Sequence, residues 1–143
     1  MRRDDEVATL REPPHSIEAE SGVLGGMLLD REAINRVPGL TADDFYRSEH
    51  KLIFTAIRQL ASAGQPCDVV TVFDRLADKA EQAGGLVYLN SLAQYVPSAA
   101  NIRRYAEIVR ERAVLRKLAA AADEIATSAF TPQGKPVEKL VDE

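Results

Sequence analysis

Few residues in this 143-residue chain have side chains suited to catalysis or metal binding, and their spacing does not suit either task. His15 follows a charged N-terminal stretch, and His50 falls in the first turn of an expected helix. Neither has a cysteine or a second histidine at ligand spacing, so both read as surface residues rather than metal ligands. Cys67 sits just before an expected helix start, where a helix dipole lowers a thiol pKa. No histidine base stands near it, and it reads as a structural or incidental thiol. Gly134-Lys135-Pro136 is not a phosphate loop, because Ser or Thr must follow the lysine and the loop's first glycine is missing. No catalytic, cofactor-binding or metal-binding residue is assigned, and no ATP hydrolysis is expected from this stretch.

One charged cluster is notable. Arg103, Arg104, Arg110, Arg112, Arg116 and Lys117 are close in sequence, partly offset by Glu107 and Glu111 at helical spacing. No aromatic stacking platform accompanies them. The net charge of -4 also argues against binding nucleic acid over the whole surface. Single-stranded DNA is expected to bind no tighter than ordinary nonspecific values, ~10⁻⁴ to 10⁻⁶ M. A hydrophobic content of 45% with 28% charged residues is that of a globular domain. A lone cysteine suits a reducing cytosol, no apolar run reaches the roughly 20 residues of a membrane span, and the N-terminus lacks a signal-peptide core. The expected location is cytoplasmic.

The element that organises the chain is Asn101 to Ala129, a stretch without Pro or Gly and rich in strong helix formers. Ile102, Tyr105, Ala106, Val109 and Ala113 share one face at i, i+3, i+4, i+7 spacing. Ile108, Leu115, Ala122 and Ala129 repeat every seven residues, with Leu118 and Ile125 in the other heptad position. The first set suits packing on a globular body, and the second a seam for another helix. Phe130 to Pro136 is turn chemistry, and Val137 begins a second helix of about two turns. The pattern reads as a truncated helical hairpin.

Ahead of it, the periodicity predicts an all-α head of short helices, with residues 1–14 a tail, 15–97 the head and 98–143 the hairpin. Ser16 caps a helix to about Leu29, with Ile17, Leu24, Met27 and Leu28 as its buried face and Glu18 and Glu20 in its first turn. Gly22 and Gly26, four apart within it, either admit a second helix closely or mark a kink. Asp30 opens a short helix to Val37. Thr41 and Asp44 frame a single turn that sets Phe45 and Tyr46 against the core, and Ser48 caps a helix ended by Gly64. Asp68 opens a helix continuing to Ala83, its helical spacing outweighing the strand propensity of Val69 to Phe73. After Gly84-Gly85, a last helix runs from Leu86 to Pro97, with Tyr88 beside the break.

Four stretches then become specific together. PPHSIEAESGVLGGMLLD (Pro13 to Asp30), DDFYRSEHKLIF (Asp43 to Phe54), GGLVYLNSL (Gly84 to Leu92) and PSAANIRRYAEIVRERAVLRKL (Pro97 to Leu118) resemble, in order, the N-terminal region of the DnaB family of replicative DNA helicases. The resemblance implies a helical head and hairpin that form a collar, associating as dimers and as a trimer of dimers in a hexamer and recruiting the C-terminal domain of a DnaG-type primase. It implies that the whole helicase unwinds duplex DNA 5′ to 3′ at the fork. Its ATP and Mg²⁺ would be held by a RecA-like motor absent from this chain, and single-stranded DNA would be engaged only through the full ring. It further implies interface roles in the region of Tyr88, Ile108, Leu115, Leu118, Ala122 and Ile125. A stand-alone helical adaptor and a helix-turn-helix DNA-binding module are the alternatives. The acidic, apolar start of the helix at Asp68 fits a recognition helix poorly.

Overall fold

The computed structural model describes residues 12–95 and 101–131, and the regular structure among them is entirely helical. Helix α1 (Ile17–Leu29) starts where Ser16 Oγ accepts the Ala19 N–H at 3.2 Å. At its end Asp30 Oδ1 accepts the Glu32 N–H at 2.9 Å, turning the chain into a 3-10 turn, Ala33–Arg36. A second 3-10 turn, Ala42–Asp44, is closed by Asp44 Oδ2 accepting the Thr41 N–H at 2.9 Å. There follow α2 (Ser48–Ser62), α3 (Val69–Leu76) capped by Asp68, a 3-10 turn (Ala77–Lys79), α4 (Gly85–Tyr95) and α5 (Ile102–Phe130). Residues 1–11 of the expected tail, the end of the Phe130 to Pro136 turn and the helix expected from Val137 lie outside the described residues.

Three local expectations are corrected. Ser48 is not the cap of α2 but its first residue, with Arg47 extended at the N-cap position. The entry is held from α1 instead: the Glu20 carboxylate accepts the N–H of Tyr46 at 2.8 Å and of Arg47 at 3.4 Å. The helix from Asp68 does not continue to Ala83 but breaks at Ala77, which adopts φ +52°. The break lets Ala80 and Ala83 turn into the core alongside Val72 and Leu76. Tyr46 does not enter the core as Phe45 does; it is exposed, with its ring stacked on that of His15 at 4.2 Å.

The centre of the head is α1. Every residue from Ala19 to Leu28 is buried, so the single apolar face expected for it is too narrow. It packs against α2 and α4, and its glycines meet α5. A Cβ on Gly22 would stand 2.8 Å from Tyr105 Cδ2, and one on Gly26 would stand 3.1 Å from Ile102 Cδ1. The four-residue glycine spacing is therefore a close-packing surface, not a kink.

The two glycines differ in what resists a side chain. Opposite Gly22 is a rigid ring, so Gly22→Ala should lose more to overpacking, about 1–3 kcal/mol, than the ~1 kcal/mol it gains in helix propensity. Opposite Gly26 is a methyl group that can rotate, and Gly26→Ala should be near neutral. Urea denaturation of the pair checks this; a Gly22→Ala protein as stable as its parent contradicts it.

Two compact units divide the chain within α5, between Ala113 and Val114. The unit His15–Ala113 contains the core, to which α5 contributes Ile102, Ala106, Val109 and Ala113. The described residues of the other unit are 12–14 and 114–131, and there Arg116 Nη1 donates to the Pro14 carbonyl at 2.8 Å. Cys67, only 3% exposed, lies with Sγ 3.7 Å from the Ile57 carbonyl. Burial raises its thiol pKa and Asp68 adds to this, against the pull of Arg31. Iodoacetamide at mildly alkaline pH is expected to label native Cys67 at least about tenfold more slowly than the unfolded chain, since the thiolate is the reactive species. Equal rates, followed by mass spectrometry, would refute it.

Candidate functional site

The gap between α1, α2 and α4 holds a chain of polar groups. His50 is completely buried and Glu20 nearly so. His50 Nδ1 lies 2.7 Å from Glu20 Oε1, and His50 Nε2 lies 2.6 Å from the Tyr88 hydroxyl. An ionised carboxylate can only accept, so Nδ1 carries a proton and donates to Glu20, while Nε2 meets the Tyr88 hydroxyl. Gly84 makes this possible. It sits at φ +102°, and a Cβ there would come within 2.7 Å of Tyr88 Cβ. At the surface end the Arg47 guanidinium lies 5.6 Å from the Tyr88 ring centroid and is paired with Glu49. Burial raises the Tyr88 phenol above its ordinary pKa, with Glu49 and Glu20 adding to the shift and Arg47 opposing it.

Carboxylate, imidazole and hydroxyl in line have the composition of a proton relay, but the chain ends in a phenol, with its imidazole and carboxylate sealed from solvent. Among the described residues every buried side-chain polar atom has a partner. A satisfied, water-excluded network of this kind fixes helix positions rather than reacting. It ties α1 to α2 and α4, and through Tyr46 and Arg47 it sets the loop entering α2.

The reading of His50 as a surface residue is thereby overturned; Glu20 lies in the first turn of α1 as expected, with its carboxylate buried. Their partners stand 30 and 38 residues from His50 in sequence, beyond any local spacing rule. The only available signal was the Gly84-Gly85 pair beside Tyr88.

The second candidate surface is apolar. From Val114 onward α5 exposes Leu115, Leu118 at 64% and Ile125 at 59%, along with Ala122 and Ala129. At ~100° per residue these five fall within an arc of about 80°, a continuous stripe. Glu12, Pro13 and Pro14 line a groove with Arg116, Ala119, Ala120 and Asp123, which belong to another face of the same helix. Ile108 differs from the rest of the heptad set: it is half-buried against the core of the His15–Ala113 unit. Tyr88 belongs to the buried network of that unit. The six residues singled out in the sequence thus fall into an exposed stripe (Leu115, Leu118, Ala122, Ile125), a core-edge residue and a network residue.

No described helix is long and apolar enough to cross a membrane. Comparison with known proteins gives a consistent result. The family model described as "DnaB-like helicase N terminal domain" matches residues 12–111. The replicative DNA helicase DnaB of Geobacillus stearothermophilus is 44% identical over 143 residues, covering 96% of this chain and 31% of the relative. That of Pasteurella multocida is 40% identical, covering 92% and 29%. The chain thus spans about three-tenths of the length of these curated relatives. The crystal structure of the N-terminal domain of DnaB helicase from Mycobacterium tuberculosis superposes with TM-score 0.85 at 38% identity, covering 92% of this chain and 94% of that one. A structure of a DnaB-like replicative helicase, solved in a study of its interactions with primase, gives TM-score 0.74 at 30% identity, covering 89% of this chain and 30% of that one.

Proposed function

The chain belongs to the DnaB-like helicase N-terminal domain family, and from that premise we propose that it serves as the collar of a cytoplasmic replicative helicase. In this reading it mediates self-association, as dimers and as a trimer of dimers in the ring, and recruits the C-terminal domain of a DnaG-type primase. The observation that carries it is the exposed apolar stripe of Leu115, Leu118, Ala122 and Ile125. A stripe of this kind on a solvated helix is an association surface. The segment from residue 98 onward acts as the hairpin arm that bears it, and Tyr88, with its network, sets the shape of the head.

Unwinding and ATP hydrolysis belong in this reading to a RecA-like motor, which would hold ATP and Mg²⁺. The residues here do not fit that ligand, since no phosphate loop is present in the 143 residues. Calorimetric titration with a primase C-terminal domain tests the proposal, run beside a titration with labelled duplex DNA. Saturable primase binding with only nonspecific DNA binding is expected. Tight, salt-resistant duplex binding without primase binding would favour the DNA-binding module instead.

A further inference from the structure

Between the Val37–Leu40 loop and the first half of α5 lies a cleft of about 190 Å³ within the His15–Ala113 unit. Its floor is apolar, formed by Val37, Leu40 and Ala106, and its rim is basic, formed by Arg36, Arg103 and Arg110. Arg36 is engaged with Asp30 at 3.0 Å. Glu107, the acid on the rim, is engaged with Arg104 at 3.2 Å. Arg103 and Arg110 have no ion pair or hydrogen bond among the described residues, although both are exposed. The Arg110 guanidinium lies beside the loop at Gly39, where an added Cβ would make ordinary van der Waals contact with Nη1 at 3.5 Å.

We propose that this cleft docks an acidic segment of a partner protein, two carboxylates meeting Arg103 and Arg110 and an apolar side chain between them resting on Val37, Leu40 and Ala106. Arg103 and Arg110 are seven residues apart on α5, a rise of ~10 Å. In an extended peptide alternate side chains share one face at ~3.3 Å per residue, so two acids four positions apart (~13 Å) and the apolar residue midway between them all face the cleft, with the flexible arginine arms taking up the difference. Guanidinium groups pair with carboxylates through two parallel hydrogen bonds, which fixes the peptide's register. A lone phosphate ion would leave the apolar floor unused. A nucleic-acid strand would find no aromatic side chain on which to stack its bases. The proposal does not depend on which partner the collar recruits.

The test uses the 143-residue chain and a fluorescein-labelled peptide, Gly-Ser-Glu-Ser-Leu-Ser-Glu-Ser-Gly, followed by fluorescence anisotropy at physiological salt. Saturable binding is expected, with none for the peptide carrying Gln in place of Glu. Arg103→Glu with Arg110→Glu should weaken binding at least tenfold. Arg75→Glu, a single charge reversal on α3, should leave it unchanged. Arg103→Gln with Arg110→Gln repeats the test without charge reversal, and circular dichroism confirms the fold of each variant. No detectable binding, equal binding of the Gln peptide, or retention by the double variants overturns the proposal. So does displacement of the peptide by oligothymidylate, which would assign the cleft to nucleic acid.

Discussion

Glu20→Ala is expected to lower the unfolding free energy by about 3–5 kcal/mol, because its carboxylate is the shared acceptor of the network. Three donors lose their acceptor at once: His50 Nδ1–H and the backbone N–H groups of Tyr46 and Arg47. Each costs about 1–3 kcal/mol when left buried and unpaired, with water entering the new cavity recovering part of that. Against a total stability of roughly 5–15 kcal/mol for a domain, the loss is large. Glu20→Gln keeps one acceptor oxygen and should cost less. His50→Ala removes the bridge but leaves Glu20 its two backbone donors, so Glu20→Ala with His50→Ala should cost less than the sum of the single changes. Guanidinium denaturation of the four variants beside their parent checks this. A Glu20→Ala protein within about 0.5 kcal/mol of its parent would show that the network does not hold the helices.

The second large effect concerns association rather than folding. Leu118 and Ile125 are the most exposed large residues of the α5 stripe, and burying each in an interface contributes about 1.5–3 kcal/mol. Leu118→Asp with Ile125→Asp removes both contributions and adds carboxylates that an apolar seam cannot solvate. At about 1.4 kcal/mol per tenfold, the dissociation constant for self-association should rise at least ~100-fold. The His15–Ala113 unit contains neither residue, so its melting should not move. Sedimentation equilibrium, with circular dichroism on the same samples, separates the two readouts. Self-association unchanged in the double variant would remove the stripe from the proposed function.

The elements of this fold were legible because local rules govern them. Ser16 and Asp68 cap helices, Gly64 ends one at φ +70°, and the face of α5 built on Ile102, Ala106 and Val109 is buried as its spacing requires. The heptad also marked the exposed stripe, since Leu115, Leu118 and Ile125 fall on a side of α5 that the core does not need. What escaped the sequence depends on contacts between distant segments. His50 resembles a surface histidine until Glu20 and Tyr88 are brought to it. Ala77 carries no signal for a positive φ, because the demand comes from burying Ala80 and Ala83 rather than from its own side chain. The cleft beside Arg103 and Arg110 is equally nonlocal, since Val37 and Leu40 of its floor come from a loop more than sixty residues earlier.

The burial of α1 on every side also bears on how freely this protein's sequence can drift. An ordinary surface helix has a solvent face on which most replacements are tolerated. From Ala19 to Leu28 there is no such face. Two of its positions hold glycine against α5 side chains, one holds the carboxylate that secures three donors, and the apolar ones fill the core. Almost any replacement there creates a clash, a void or an orphaned polar group. Pro13 to Asp30, the first of the four stretches that carried the family resemblance, contains the part of the chain with the least freedom to change.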